Sequence, residues 1–352
     1  MHMNQNINKK EMRIGKRLIG EGKPCFVIAE IGSNHNHDYD LALRMIDAAA
    51  EAGVDAVKFQ TFKASSHYSK RTPRFGHFQN MDTFDLIHSL EINRDWHLPL
   101  KEHAESVGLE FLTSPCDSEA IIELDQLDVA AFKVASFDLP DLVLIKQIAE
   151  TGRPIIFSTG MANWMDIQNA IDVSLASGNE QIALLQCTSL YPAPANLSNL
   201  NSIRVMREAF NVITGYSDHT LGDHVCIAAV ALGANIIEKH FTMDRSLPGP
   251  DHSFAIETQE LKQLMQRLRE VESAFGNGSK NGPQEEEKEM YENGRRSIHA
   301  AIPIHAGQII EKDSLIIKRP GLGIPPYLME QVIGRTAKHD IQEDEWITWD
   351  MV

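Results

Sequence analysis

Cysteine is scarce in this chain. Four stand in 352 residues, Cys25, Cys116, Cys187 and Cys226, and no two form a CxxC pair. That excludes a disulfide framework and a cysteine-rich zinc site, and the four read as reduced thiols of a cytoplasmic protein. Basic residues are outnumbered: 33 Lys and Arg face 49 Asp and Glu, a formal net charge of −16. No global field would draw in a polyanion, which excludes nucleic acid and anionic membrane surfaces as partners but leaves room for a small anion held by local lysines. No run of about 18 apolar residues occurs, so no transmembrane helix is expected. Residues Met1–Lys10 are polar and lack the apolar core of a secretory signal.

What the sequence does hold is a repeated β-then-α order. Short apolar runs lie at Phe26–Ile31, Val54–Gln60, Leu109–Thr113, Ala131–Ala135, Pro154–Ser158, Ile182–Cys187, Val212–Gly215 and Asn235–Lys239. Each is apolar on both faces, as strands of a buried parallel sheet are. Helical patterns lie between them, Tyr39–Ala52 and Met165–Ala176 being clear cases, and Glu257–Ala274 follows the last run. Eight such units predict an α/β fold, a (β/α)8 TIM barrel, over residues 25–276, preceded by an extension and cap in residues 1–24. The Gly/Asn/Pro-rich stretch Gly276–Pro283 and the charged run Glu285–Glu289 then read as a linker, 277–294, entering a solvated helical turn. Short β runs broken by Gly and Pro make residues 295–352 a small, mostly-β domain with a thin core.

A barrel of this kind carries its active site at the C-terminal ends of its strands. All eight ends here are polar. Lys58 and Lys133 end strands two and four, and hydroxyl residues surround them. Compact positive charges among hydroxyls suit a phosphate and a carboxylate, the alternative being lysines paired with structural carboxylates. His219 and His240 end neighbouring strands, which aims two imidazoles at one point and suits a catalytic divalent ion such as Mn²⁺. Glu30 faces the same mouth as a candidate base, metal-side carboxylate or water positioner, against the alternative of a satisfied strand-end carboxylate. The His35 and His37 pair is shared with metal-dependent amidohydrolases. Those enzymes also need histidines after strands five and six and an aspartate after strand eight, where this chain has Ser-Thr-Gly, Gln-Cys-Thr and Lys-His. That reading fails, and His37 reads as a loop residue.

The motifs at these ends carry a resemblance. Ala29-Glu30-Ile31-Gly32 with Asn34-His35-Asn36, Val57-Lys58-Phe59-Gln60-Thr61, Phe132-Lys133-Val134-Ala135-Ser136, Ser158-Thr159-Gly160-Met161, Cys187-Thr188 with Tyr191-Pro192, Ser217-Asp218-His219-Thr220, Glu238-Lys239-His240-Phe241-Thr242 and Pro248-Gly249-Pro250-Asp251-His252 occur in order. From about Arg13 onward the chain resembles the sialic acid synthase family: the N-acetylneuraminate, legionaminate and pseudaminate synthases with their spore-coat polysaccharide relatives. The tail resembles the antifreeze-like SAF domain, through Lys318-Arg319-Pro320-Gly321.

The resemblance implies that phosphoenolpyruvate condenses with an open-chain N-acylated amino sugar, giving a nonulosonic acid and phosphate by C–O cleavage. It implies a divalent ion on His219 and His240, Mn²⁺ first with Mg²⁺ or Co²⁺ as alternatives. It implies phosphoenolpyruvate contacts from Lys58, Lys133, Ser136 and Ser158, with Gln60, Thr113 and Ser189 as weaker candidates. Tyr191 and Asp251 would contact the sugar. Arg319 would reach it from the partner chain of a domain-swapped homodimer. Many neuraminate synthases carry Asn where Ser189 stands. Ser136-Phe137-Asp138 is closer to the pseudaminate and spore-coat branches, and Leu247-Pro248-Gly249-Pro250-Asp251 to the neuraminate and legionaminate branch. Two other readings are a synthase acting on a sugar phosphate and a non-catalytic glycan- or ice-binding relative. The tail domain opposes the first, and the lack of a repeat of small polar residues in 295–352 opposes the second.

Overall fold

The computed structural model describes residues 11–74 and 82–352. The first ten residues of the expected N-terminal extension lie outside that range. The chain forms two compact units, one ending at Phe275 and the other Gly276–Val352.

The first unit is a closed TIM barrel. Its eight parallel strands are Phe26–Gly32, Ala56–Thr61, Glu110–Pro115, Phe132–Val134, Ile155–Ser158, Ile182–Cys187, Ile213–Asp218 and Ile236–Thr242. Each pairs with the next, and the eighth closes on the first with His240 opposite Glu30. The seventh and eighth strands run further than their apolar cores, because Ser217, Asp218 and Thr242 find buried hydrogen-bond partners there. Helices cover the outside. Tyr39–Ala52 is typical: the Asp38 side chain accepts from the Leu41 N–H to start it, and Gly53, at φ 84°, ends it.

The core has two layers. The outer one, between strands and helices, holds Val57, Phe59, Phe111, Phe157, Tyr216 and Phe241 with the buried helix faces. The inner one fills the barrel with Phe26, Ile28, Ala56, Leu112, Ala131, Ile156, Ala183, Leu185, Ile213 and Ile236. Met12, Ile14 and Ile19 belong to this inner layer too. They come from an antiparallel hairpin, Glu11–Ile14 and Arg17–Gly20, whose alternating exposure buries one face. The hairpin seals the barrel at the N-terminal ends of its strands.

The second unit holds the small tail domain and the stretch that precedes it. It opens with a turn of 3₁₀ helix, Glu285–Glu287, and a helix, Lys288–Gly294, neither of which buries a residue. Strands Ser297–Ala300 and Leu315–Lys318 pair antiparallel, and isolated bridges join His299 to Trp346, Ile304 to Ile341 and Ile309 to Thr336. Ile298, Ile304, Ile310, Ile324, Ile341 and Ile347 form its core. No helix among the described residues is long and apolar enough to cross a membrane.

Candidate active site

Strand alternation builds the site. Side chains two residues apart share a face, so the residues after the inner apolar layer also point inward. Ile28 is followed by Glu30, Ala56 by Lys58, Leu112 by Ser114, Ala131 by Lys133, Ile156 by Ser158, Leu185 by Cys187, and Ile236 by Glu238 and His240. An apolar plug thus gives way, in one step along the strands, to a layer of buried charge. Burying charges without partners is costly, so they must compensate one another.

They do so through two carboxylates. Lys58 Nζ lies 2.7 Å from Glu30 Oε2 and 3.8 Å from Glu238 Oε2, and donates to Ser114 Oγ at 3.3 Å. Lys133 Nζ lies 3.3 Å from Glu238 Oε1 and donates to Ser158 Oγ at 2.7 Å. Gln60 Nε2 donates to Glu30 Oε1 at 2.7 Å, and Ser217 Oγ to Glu238 Oε1 at 2.9 Å. Burial works against the Lys58 charge, but Glu238 and Glu30 outweigh it and hold the pKa above the usual lysine value. Burial likewise works against Glu238, which Lys133 and Lys58 nonetheless keep ionised. Burial pushes Glu30 up, with Lys58 opposing and Glu238 adding.

Just past Ser158 the chain comes very close to itself. The Gly160 N–H donates to Ser136 Oγ at 2.9 Å. A Cβ on Gly160 would fall 2.3 Å from Ser189 Oγ and 2.8 Å from Ser136 Oγ, so any larger residue forces those hydroxyls to move. The Ser189 hydroxyl is buried with no hydrogen-bond partner. Two serine hydroxyls therefore converge on Gly160, and one of them is still to be satisfied.

On the opposite arc stand the imidazoles. The His219 and His240 ring centroids are 5.3 Å apart, with the Tyr191 ring 4.3 Å from His219 and Phe254 5.0 Å from His240. His219 Nδ1 donates to the Thr188 carbonyl at 2.9 Å, which fixes its tautomer and leaves Nε2 as the lone-pair nitrogen. His240 Nδ1 is buried without a hydrogen-bond partner, 3.7 Å from Asp251 Oδ2. Burial first, then the positive neighbours His219 and Lys58, hold the His240 pKa well below the usual imidazole value, so it stays neutral. Cys187 Sγ lies 3.9 Å from His219 Nδ1. Burial opposes a charge on either, yet the histidine lowers the thiol and the thiol raises the histidine. Burial and then Glu30 push the Asp251 carboxyl up to about 7. A neutral imidazole with an orphaned buried nitrogen beside a second one of fixed tautomer fits a divalent cation.

Profile comparison identifies the residues over which this architecture is shared. The model of the NeuB family matches residues 45–280, and that of the SAF domain residues 295–352. The chain belongs to the NeuB family. It is 39% identical to the N,N'-diacetyllegionaminic acid synthase of Campylobacter jejuni, over 92% of this chain and 99% of that protein. The crystal structure of the spore coat polysaccharide biosynthesis protein SpsE of Bacillus subtilis matches with a TM-score of 0.68 at 36% identity, covering 97% of this chain and 99% of that one. The N-acetylneuraminic acid synthetase of Leptospira borgpetersenii, solved with citrate, matches with a TM-score of 0.72 at 33% identity, over 79% of this chain and 94% of that one. This NeuB-family chain is therefore an enzyme of the synthase type.

Within the NeuB-family barrel the structure gathers Glu30, Lys58, Gln60, Lys133, Ser136, Ser158, Ser189, Tyr191, His219, His240 and Asp251 at one mouth. It does not bring Thr113 in with them. Thr113 follows Phe111 on the helix-facing side of its strand, and its hydroxyl bonds Thr61 Oγ1 at 2.8 Å. The inward residue is its neighbour Ser114, the one that meets Lys58. Arg319 belongs to the second unit, where its Nε donates to the Gly294 carbonyl at 2.6 Å. His37 is a loop residue whose Nε2 bonds the Ser89 carbonyl. Sequence reasoning missed Glu238, the carboxylate both lysines share. Its signal was available: two buried lysines on strands of one barrel need a common counter-charge.

Proposed function

We propose that this enzyme condenses phosphoenolpyruvate with the open-chain aldehyde of an N-acylated amino sugar, in the cytoplasm, giving a nonulosonic acid and inorganic phosphate. The observation that carries the reading is the division of the mouth. Two charged lysines, Ser136 and the unsatisfied Ser189 hydroxyl lie on one arc, and the histidine pair, with His240 held neutral, lies on the other. The first suits a phosphate and a carboxylate, the second a polarised carbonyl.

The residues then divide the work. Lys58, Lys133, Ser136, Ser158 and Ser189 hold the phosphate and carboxylate of the enol, fixing its C3 toward the aldehyde carbon. A divalent ion on His219 and His240, Mn²⁺ first with Mg²⁺ or Co²⁺ as alternatives, would polarise the aldehyde oxygen as a Lewis acid. As the C3–C bond forms, positive charge develops at C2, and the Glu30 carboxylate, held by Gln60, stabilises it and orients the water that adds there. The tetrahedral centre then loses phosphate by C–O cleavage. Tyr191 and Asp251 contact the sugar. Arg319 supplies a further sugar contact from the partner chain of a domain-swapped homodimer, a reading carried by the family resemblance. The 39% identity to a relative named for N,N'-diacetyllegionaminic acid supports a diacetamido sugar as the acceptor.

The test is phosphate release from phosphoenolpyruvate with Mn²⁺ against N-acetylmannosamine and the two diacetamido-trideoxyhexoses that lead to legionaminate and pseudaminate. Release with one sugar, abolished by His240→Ala, is expected. Silence with all three in folded, metal-loaded protein overturns the reading.

A further inference from the structure

The mouth holds a second cluster of donors that the proposed reaction does not use. His67, Cys116 and Asp138 place one ligand atom each within 4.8 Å of one another, the one such group of three among the described residues. His67 Nδ1 lies 3.9 Å from Asp138 Oδ1, and Cys116 Sγ lies 3.7 Å from Asp138 Oδ2. Donors bound at roughly 2.0–2.3 Å around a tetrahedral ion stand some 3.3–3.8 Å apart; the two Asp138 contacts use different oxygens, so a shared cation draws the three ligand atoms in from a spread of up to 4.8 Å. They come from three elements: the short helix Ala64–His67 after the second barrel strand, the end of the third strand, and the loop after the fourth. His219 and His240 sit on the seventh and eighth strands, across the barrel.

We propose that His67, Cys116 and Asp138 form a separate site for a soft divalent cation of the Zn²⁺ type, three protein donors with the fourth tetrahedral position open to solvent. The donor set selects the ion: a thiolate, an imidazole and one carboxylate favour Zn²⁺ over the hard, oxygen-seeking Mg²⁺. The site is accessible but not loose, with side chains 20% exposed for His67 and 13% for Asp138. Without a cation the thiol donates weakly to Asp138 and to the Ser114 carbonyl at 3.8 Å. Burial first, then Asp138, push its pKa up, so it remains a thiol. A bound cation displaces that one proton to solvent and takes the thiolate. The charges facing the site divide. Lys58 and Lys133 oppose a cation, while Asp141 and Asp117 favour one. The thiolate and the Asp138 carboxylate together balance the dication.

Cobalt titration of the full-length protein tests this. Co²⁺ on a thiolate gives a near-ultraviolet charge-transfer band that Co²⁺ on histidines alone does not. One equivalent of that band is expected. Cys116→Ser abolishes it, Cys187→Ala retains it, and His67→Gln weakens Co²⁺ binding by at least about tenfold. Zn²⁺ added to the cobalt-loaded protein bleaches the band. No band at saturating Co²⁺, or a band unchanged in Cys116→Ser, overturns the proposal. Both outcomes are read without turnover, so they stand apart from the fate of the proposed reaction.

Discussion

The Lys58 ammonium sits 2.7 Å from the Glu30 carboxylate, with 4% and 1% of their side chains exposed. Neither group could stay charged there alone, and each is also tied to the rest of the mouth, Lys58 to Glu238 and Glu30 to Gln60. Removing one partner leaves the others uncompensated, which typically costs ~3–5 kcal/mol. Lys58→Met is therefore expected to lose turnover and to be destabilised by about that amount in urea unfolding. Lys58→Met with Glu30→Gln should be destabilised by less than Lys58→Met alone, because the double change removes both charges of the pair. Strict additivity of the two losses would show that the pair is not coupled.

Gly160 makes a second test. Gly160→Ala forces its Cβ against Ser189 and Ser136, and overpacking of this kind costs ~1–3 kcal/mol. The protein should fold, with KM for phosphoenolpyruvate raised more than kcat is lowered. Ser189→Ala in the same chain removes the closest clash and should recover part of the stability. A Gly160→Ala enzyme with unchanged KM would remove this segment from the anion site.

Arg319 and His240 allow a complementation experiment. Arg319→Ala carries an intact barrel and His240→Ala an intact tail, and each alone should be nearly inactive. In a swapped dimer, mixing the two restores one complete site in each heterodimer. The recovered activity should approach a quarter of wild type at equal mixing. No recovery after subunit exchange, with mixed dimers shown to form, would place Arg319 in its own chain's chemistry or outside it.

His97 sets a pH dependence of stability. It is buried against Thr61 Oγ1 at 2.9 Å, and burial, then Arg94, lower its pKa to about 4. Between pH 6.5 and 4 the unfolded chain binds a proton that the folded chain refuses. Stability from this group is thus complete above pH 6.5 and falls as pH drops through the window, by on the order of 3 kcal/mol in all. His97→Gln should flatten that part of the unfolding profile. An unchanged slope would assign the acid sensitivity elsewhere.

The eight strands were legible because a strand buried on both faces has to be apolar throughout, and that leaves a run in the sequence. The polar ends were legible for the same reason: they interrupt the runs. Which residue of each end points inward was not. Thr113 and Ser114 are adjacent hydroxyls, and only the register of a closed barrel decides that Ser114 meets Lys58. Glu238 escaped notice because only strand register separates it from its neighbour, turning Glu238 inward to Lys58 and Lys133 while Lys239 turns outward to Asp218 at 2.7 Å. The His67, Cys116 and Asp138 cluster gave no signal at all. Its members are 49 and 22 residues apart in sequence and meet only because consecutive strands lie side by side.

The sealed end of the barrel has a kinetic consequence. With the interior filled by the inner core and the Glu11–Gly20 hairpin, the reaction chamber is a blind alley with a single door. Two substrates that use one door cannot pass each other. On the proposed reaction, the substrate bound second covers the one bound first, and departure reverses the queue. Steady-state patterns should accordingly be sequential and ordered rather than random, with the last product to leave competing against the first substrate to arrive.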